Sequence, residues 1–156
     1  SSAAINFHPA PPNYRGSGST NWAIYDGAKE FGSTAHIMEN EIDSGQILEC
    51  RRFKIKDNET LPELWDRTNK NTFSLAIDFI DGISKSGNSF IEDKKKEAES
   101  EFWSGKLRKI SEVDQLQSLT TNLSKGDVDK IIRATSIDGF EPFITLWGYK
   151  FIYKKV

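Results

Sequence analysis

The sequence predicts an α/β fold that ends in a small α+β subdomain. Short runs with the alternation of β-strands fill the first third of the chain, and a long helix with an apolar stripe follows from Thr60. The end of the chain has the pattern of a β-hairpin with its turn at Gly148. These patterns predict a larger domain over residues 1–88 and a small subdomain with the terminal hairpin over residues 89–156.

Composition limits the class of protein. The chain has 156 residues, enough for one main domain, and its 12% aromatic content excludes a disordered chain. The formal net charge of −2 provides no global basic field, so we expect neither DNA nor a membrane as a partner. No apolar run reaches the ~18 residues of a membrane span. Cys50 is the only cysteine, which fits a reducing compartment, and we expect the cytoplasm.

The first predicted strand covers residues 3–7, close to the start of the sequence. Prolines at positions 9, 11 and 12 exclude a helix or a strand ladder there, so the strand ends in an extended loop.

A short helix and two further strands follow this loop. Ser19 or Thr20 can cap the helix, which ends by Gly27. Alternation of side-chain types then predicts strands over residues 33–39 and 46–55.

The strongest helix signal begins at Thr60. Thr60 and Glu63 form a capping box, and either Gly82 or Gly87 can end the helix. The residues on its stripe recur at steps of mostly three and four: Leu61, Leu64, Trp65, Thr68, Thr72, Phe73, Ala76, Ile77, Ile80 and Ile83.

Beyond this helix the signals are weaker. The run over residues 91–101 mixes lysines and glutamates and is interpreted as a solvated linker or hairpin edge. Ser111 and Ser124 can each cap a short helix. Trp103 and Trp147 either stack on a base or sugar or, as is more common for single aromatics, belong to the core.

Asn6 and His8 are candidates for chemistry because residues two apart on a strand face the same way. An amide can stabilise an oxyanion, an imidazole can move a proton near neutral pH, and a carboxylate can orient the imidazole. Asp43, in the turn signal Asp43-Ser44-Gly45, is the best candidate carboxylate. The alternative gives the three residues structural roles only: Asn6 caps a loop, His8 is a hydrogen-bonded histidine in the core, and Asp43 is a turn residue. A metal site of His8, His36 and a carboxylate is a weaker alternative, because the histidines lack a helical or hairpin spacing.

Three sequence motifs favour the catalytic role of these residues over the structural alternative. Residues 5–16, INFHPAPPNYRG, resemble the Asn-x-His … Pro-x-Tyr-Arg-Gly segment of folate-dependent formyltransferases. Residues 31–38, FGSTAHIM, resemble the Gly-x-Thr-x-His strand of that family, and residues 43–48, DSGQIL, resemble its Asp-x-Gly turn. The family includes methionyl-tRNA, glycinamide ribonucleotide and amino-sugar formyltransferases.

The resemblance implies the second half of a Rossmann-like sheet and transfer of formyl from 10-formyltetrahydrofolate to a primary amine. The catalytic Asn, His and Asp of the family fall on Asn6, His8 and Asp43. Asn6 would hold the formyl oxygen as it becomes an oxyanion, His8 would handle the amine proton or steady the tetrahedral intermediate, and Asp43 would orient His8. No metal is implied.

Further residues are implied around this centre. The backbone of Glu41, Ile42 and Asp43 would line the pterin pocket. His36, Arg15 and Gly16 would support the site without taking part in catalysis.

The chain also departs from the family. Only five residues precede Asn6, so we expect that the family's N-terminal half, with much of the folate site, has been removed or lost. Residues 89–156 hold 12 basic and 11 acidic side chains, which favours a small-molecule amine, such as an amino-sugar nucleotide, over aminoacyl-tRNA as acceptor. The alternatives are a non-catalytic structural or interaction fragment and a 10-formyltetrahydrofolate hydrolase. An uncovered strand edge would also favour a homo-oligomer.

Overall fold

The structure is a computed structural model that describes residues 4–155. Its elements form two three-stranded sheets and five helices within that range. In chain order they are β1 (Ile5–His8), α1 (Ser19–Asp26), β2 (Glu30–Ile37), β3 (Ile47–Lys54), α2 (Leu61–Ser86), α3 (Asn88–Glu97), α4 (Ile110–Leu116), β4 (Ser118–Leu119), α5 (Lys125–Thr135), β5 (Phe143–Leu146) and β6 (Tyr149–Ile152).

The first sheet has the order β1-β2-β3, and both strand pairs are antiparallel. β2 is its central strand and is buried from Phe31 to His36. A register irregularity follows Ala35, next to the carboxyl end of β2. Within the described residues β1 pairs only with β2, so it is an edge strand.

The predicted helix at Thr60 is confirmed. The Thr60 hydroxyl accepts a hydrogen bond from the Glu63 backbone N–H, and the Glu63 carboxylate accepts one from the Thr60 N–H. Of the two glycines that could end the helix, Gly87 does so. Gly82 instead makes room for Phe90, because a Cβ at position 82 would lie 2.3 Å from its ring.

α2 covers one face of the first sheet. Its Leu75 and Phe79 are fully buried and form a core cluster with Ala35, Leu48 and Ile91. The outward face of the same helix is apolar and exposed, with Phe73, Ile77 and Ile80 as its central residues. The apolar residues of α2 therefore form two faces of the helix. The described residues cover the face that packs on the sheet and leave the outward face exposed.

A second cluster lies between α1, α2 and α5. It includes Phe31 of β2, Leu64 of α2 and Ala134 of α5. Residues on both sides of position 88 thus share one core. The division into two domains at residue 88 remains a prediction.

The prediction of a linker or hairpin edge over residues 91–101 is wrong, because α3 occupies most of this run. Ile91 is buried, and Phe90 packs edge-to-face on Phe79 with ring centroids 5.2 Å apart. Its lysines and glutamates pair at helical spacing, as Lys95 does with Glu92. The mixed charges are the solvent side of a helix that is anchored by two apolar residues.

Several boundaries differ from the prediction. Residue 3, the predicted start of the first strand, lies outside the described range, and β1 extends to His8. Gly18 rather than Ser19 or Thr20 occupies the N-cap position of α1. Helix α4 begins before Ser111, because the Glu112 carboxylate accepts a hydrogen bond from the Lys109 N–H.

The two predicted strands also shift slightly. The strand predicted over 33–39 is Glu30–Ile37, because Phe31 pairs with Phe53 at its beginning. The strand predicted over 46–55 is Ile47–Lys54.

The second sheet contains the predicted terminal hairpin. β5 and β6 are antiparallel, and the short strand β4, which was not predicted, pairs parallel to β5. Ser124 caps α5 as predicted. Trp147 lies in the turn with a φ of 51° and is 89% exposed, so a core position for this residue is wrong.

Among residues 4–155, no helix combines the length and the apolar character needed to cross a lipid bilayer.

Candidate active site

Strand pairing places the predicted polar residues on one face of the first sheet. Asn6 lies directly opposite His36, and His8 lies opposite Thr34. Because side chains alternate along a strand, this face is turned away from α2, which packs against Phe7 and Ala35. Thr34 also fixes the loop that follows β1, because its hydroxyl donates a hydrogen bond of 2.7 Å to the Ala10 carbonyl.

Asp43 reaches this face from the turn between β2 and β3. It adopts a φ of 48°, a left-handed conformation that Asp tolerates better than most residues. The Gly16 N–H donates to Asp43 Oδ2 over 2.7 Å. Arg15 donates from Nε to the Asp43 carbonyl over 2.8 Å and from Nη2 to the Ile42 carbonyl over 3.2 Å.

Gly16 is required at its position. Its φ of 81° is left-handed, and a Cβ there would lie 2.2 Å from the Arg108 carbonyl oxygen. The predicted supporting residues Arg15 and Gly16 therefore hold the Asp43 turn in place.

The structure brings Asn6, His8, His36 and Asp43 together. Asp43 Oδ2 lies 3.6 Å from His8 Nδ1, and Asp43 Oδ1 lies 3.8 Å from His36 Nε2. His8, His36 and Asp43 are all buried, while Asn6 is partly exposed. Both separations are longer than a hydrogen bond, so the carboxylate faces the two rings without binding either directly.

Hydrogen bonding determines which nitrogen of His36 carries a proton. Its Nδ1 lies 2.9 Å from the Ile37 carbonyl, which can only accept, so Nδ1 is the donor. Burial lowers the pKa of His36, while the Ile37 carbonyl and the Asp43 carboxylate oppose this effect. A neutral His36 then presents a bare Nε2 to the Asn6 amide, whose Nδ2 donates to it over 3.1 Å.

His8 has a different environment. Its Nε2 lies 2.8 Å from the Tyr14 carbonyl and must donate to it. Its Nδ1 is the nitrogen that faces Asp43 and is therefore the one left for proton exchange.

The predicted pterin-lining residues lie at the surface beside Asp43. Glu41 and Ile42 are exposed, and the Ile42 side chain is 65% accessible. The Glu41 carbonyl accepts from the Ser44 hydroxyl and the Ile42 carbonyl accepts from Arg15, so this backbone is ordered by its own chain.

Two contributions to the site were not predicted, although Trp103 was considered as a stacking or a core residue. One is the Tyr14 carbonyl, since a backbone acceptor leaves no signal in residue types. The other is Trp103, whose indole N–H donates to the Gly45 carbonyl over 2.6 Å and whose ring contacts His36. Trp103 is 58 residues from Gly45 in sequence, so its place depends on the path of the chain after α3.

An open groove of about 530 Å³ lies beside this cluster. Its lining includes Gly45, Gln46, Glu99, Phe102 and Trp103. Within residues 4–155, no group of three or more His, Cys, Asp or Glu side chains is arranged to hold a metal ion.

Comparisons with known proteins identify the family of the chain. A family described as formyl transferase matches residues 1–80. The methionyl-tRNA formyltransferase of Clostridium tetani (strain Massachusetts / E88) is 33% identical, over 89% of this chain and 49% of that protein. The enzyme of the same name from Clostridium perfringens (strain SM101 / Type A) is 29% identical, over 97% of this chain and 46% of that protein. The chain thus spans about half the length of these curated relatives.

Solved structures share the fold. A sugar N-formyltransferase from Shewanella sp FDAARGOS_354 superposes with a TM-score of 0.75 at 22% identity, covering 98% of this chain and 61% of that chain. HypX from Aquifex aeolicus in complex with tetrahydrofolic acid superposes with a TM-score of 0.57 at 17% identity, covering 95% of this chain and 24% of that chain. The fold is therefore the mixed α/β, Rossmann-like formyltransferase fold that the sequence predicts.

Proposed function

This chain belongs to the formyl transferase family, and from that premise we propose that the protein transfers a formyl group from 10-formyltetrahydrofolate to a primary amine. The observation that carries the proposal is the meeting of Asn6, His8 and Asp43 on one face of the sheet. In acyl transfer to an amine, an amide can stabilise the oxyanion, an imidazole can accept the proton, and a carboxylate can stabilise the charged imidazole.

Asn6 would stabilise the developing oxyanion. One hydrogen of its amide is donated to His36 Nε2, and a primary amide has a second hydrogen on the same nitrogen. The bond to His36 fixes the plane of the amide, so the second N–H is oriented before the formyl carbonyl arrives. Such preorganisation avoids a reorganisation cost during the reaction.

His8 would take the proton that the attacking amine must lose. Its Nε2 is held by the Tyr14 carbonyl, which leaves Nδ1 for this exchange. Asp43 Oδ2 lies 3.6 Å from that nitrogen and would stabilise the imidazolium that forms. Apo distances at such pairs are often long and shorten when substrate is bound.

The folate donor would bind beside Asp43. Ile42 offers an exposed apolar side chain, and the backbone of Glu41, Ile42 and Asp43 offers polar groups at the same edge. A flat ring with polar edges requires this combination, which supports the assignment of these residues to the pterin. 10-Formyltetrahydrofolate would supply the formyl unit. As the bond from the formyl carbon to the amine nitrogen forms, the bond from that carbon to N10 would break, and His8 would pass the proton on to N10.

A small amine, such as an amino-sugar nucleotide, is the acceptor we favour. Residues 89–156 carry nearly equal numbers of basic and acidic side chains, whereas binding to tRNA depends on phosphate contacts made by an excess of Lys and Arg. Methionyl-tRNA is the second candidate, because the curated relatives carry the name methionyl-tRNA formyltransferase.

An acceptor assay tests the proposal. The protein would be incubated with 10-formyltetrahydrofolate and either a nucleotide-linked amino sugar or methionyl-tRNA, and products would be identified by mass. We expect a formylated amino sugar that requires both substrates. Free formate without a formylated amine would indicate a hydrolase, and unconsumed donor with either acceptor would contradict catalysis and favour a structural fragment.

A further inference from the structure

The segment after α3 crosses the face of the sheet that carries the candidate site. Arg52 of β3 binds the Glu101 carboxylate through both terminal nitrogens, over 2.5 and 2.7 Å. The Ser104 N–H donates to the Pro12 carbonyl over 3.1 Å. Residues 101–104 are called here the crossing segment. This segment is fixed to β3 at its first residue and, at its last residue, to the loop that follows β1.

Trp103 is the part of the crossing segment that reaches the polar cluster. Its ring meets His36 edge-on, with centroids 4.9 Å apart and planes at 85°, and lies 6.0 Å from the His8 ring. Its Nε1–H donates to the Gly45 carbonyl, two residues after Asp43. One side chain thus packs on His36, lies near His8 and binds the turn that carries the carboxylate.

Gly45 has little freedom to move independently of β2. A Cβ at this position would lie 1.8 Å from the Ile37 carbonyl oxygen, so the turn passes very close to the end of the strand. Arg15 and Gly16 hold the Asp43 side of the turn, and Trp103 holds the Gly45 side. The turn is therefore restrained from two directions by segments far apart in sequence.

We propose that Trp103 is a positioning residue that sets the distance between the Asp43 carboxylate and the His8 ring. The claim that Trp103 restrains the turn stands on geometry alone, whereas its effect on formyl transfer rests on the function proposed above. The separation of 3.6 Å between Asp43 Oδ2 and His8 Nδ1 lies just beyond hydrogen-bond range. A displacement of the turn by less than an ångström would therefore change how strongly the carboxylate acts on the ring.

The indole also separates the histidines from the open groove. Trp103 and Gly45 are both groove-lining residues. The ring covers His36, which is 3% exposed. Loss of the indole would open the histidine pair to water from that side.

Trp103→Phe is the main test, because it keeps an aromatic ring while removing the N–H donor, together with part of the indole's ring volume. Amide hydrogen exchange of residues 41–46 would be measured by mass spectrometry, together with kcat and KM for formyl transfer. We expect exchange in this turn to rise severalfold and kcat to fall about tenfold, with KM changed by less than about threefold, since the groups being positioned act on the transition state.

Two further variants provide controls. Trp65→Phe makes the same change at a tryptophan of α2 that is 50% exposed and lies outside the crossing segment, and it should leave both exchange in residues 41–46 and kcat near the wild-type values. Glu101→Gln weakens the Arg52 anchor without touching the indole and should change both quantities in the same direction as Trp103→Phe, but less.

The outcomes separate the two proposals. Faster exchange in the turn of a protein that lacks formyl transfer in its wild-type form would support the restraint by Trp103 and contradict the proposed function. Unchanged exchange in folded Trp103→Phe would overturn the restraint. Faster exchange with unchanged kcat in an active enzyme would overturn the positioning role.

Discussion

At the scale of single residues, two backbone carbonyls, which can only accept hydrogen bonds, order the histidines of the polar cluster. The carbonyls of Ile37 and Tyr14 fix the protons of His36 on Nδ1 and of His8 on Nε2. The two histidines are therefore not equivalent. His36 presents an acceptor to Asn6, whereas His8 directs its remaining nitrogen toward Asp43.

The stability of the protein should depend on His36 in mildly acidic solution. Burial lowers the pKa of His36, so below the ordinary value of about 6.5 the unfolded chain binds more protons than the folded chain. The free energy of unfolding should therefore fall as the pH is lowered from about 7.5 to about 5.5. Urea denaturation at the two pH values would measure the fall.

His36→Gln provides the comparison, since it removes this titration and leaves His8 in place. Its free energy of unfolding should fall less between the two pH values. Carboxylates in ion pairs, such as Glu101 and Glu112, have lowered pKa values and so respond at more acidic pH. Equal falls in the two proteins would contradict the account of His36.

Cys50 should react slowly in the folded protein. Burial raises the pKa of its thiol to about 11, so the reactive thiolate is scarce near pH 8. Compared with the urea-unfolded chain, whose thiol has a pKa of about 8.5, reaction with a disulfide reagent should be slower by roughly two orders of magnitude. Equal rates in the folded and unfolded chain would show that the thiol is not shielded.

At the scale of elements, α2 has two apolar faces with different roles. Leu75 lies in the core cluster, whereas Ile80 is 63% exposed. Replacing Leu75 by Ala should lower the free energy of unfolding by about 2–5 kcal/mol, because it leaves a cavity. The matched change Ile80→Ala should alter it by less than about 0.5 kcal/mol. Chemical denaturation of both variants measures the difference, and similar losses would mean that the outward face is also packed.

Sequence signals were sufficient to predict those helices whose first turn is stabilised by residues close together in the sequence. Thr60 and Glu63 predicted the start of α2, and Ser124 predicted the start of α5, because a capping box is complete within four residues. α3 was missed because its charged residues suggested solvent. The two residues that anchor it, Phe90 and Ile91, belong to a core cluster that forms only when the helix packs on distant parts of the chain.

The candidate site was predictable to a similar extent. Asn6 and His8 share a face because of strand alternation, the turn signal at residues 43–45 made Asp43 the candidate carboxylate, and the resemblance to a family supported all three residues. The Tyr14 carbonyl and Trp103 were not predictable, because each acts through a contact that tertiary structure creates. Residue types indicated which groups could react, and the path of the backbone determined what holds them.

At the scale of the whole molecule, apolar surface remains uncovered by the described residues. Phe73 and Ile80 on α2 are 70% and 63% exposed. β1 is an edge strand in the described sheet, which leaves one row of its backbone groups without a strand partner. Surfaces of this kind are typical of interfaces rather than of free monomers.

The 156-residue chain should therefore self-associate at moderate concentration. Sedimentation velocity should detect larger species, and the double variant Phe73→Asp/Ile80→Asp should reduce them while changing stability little, since both side chains are mostly exposed. Thr121→Asp, which adds a charge at an exposed loop position, should leave the association unchanged. A chain that stays monomeric over the same concentrations would contradict the prediction.

The central claim is that Asn6 and His8 act together on formyl transfer, and steady-state kinetics of their variants tests it most directly. His8→Ala should lower kcat by ~10²–10⁴-fold through lost proton transfer, and Asn6→Ala should cost about 2.7–4 kcal/mol of transition-state stabilisation. KM should change less than kcat, and the double variant should lose less than the sum of the two effects.

Asn69→Ala, an exposed asparagine on α2, is the matched control and should retain wild-type kinetics. A near-wild-type kcat in His8→Ala would contradict the mechanism.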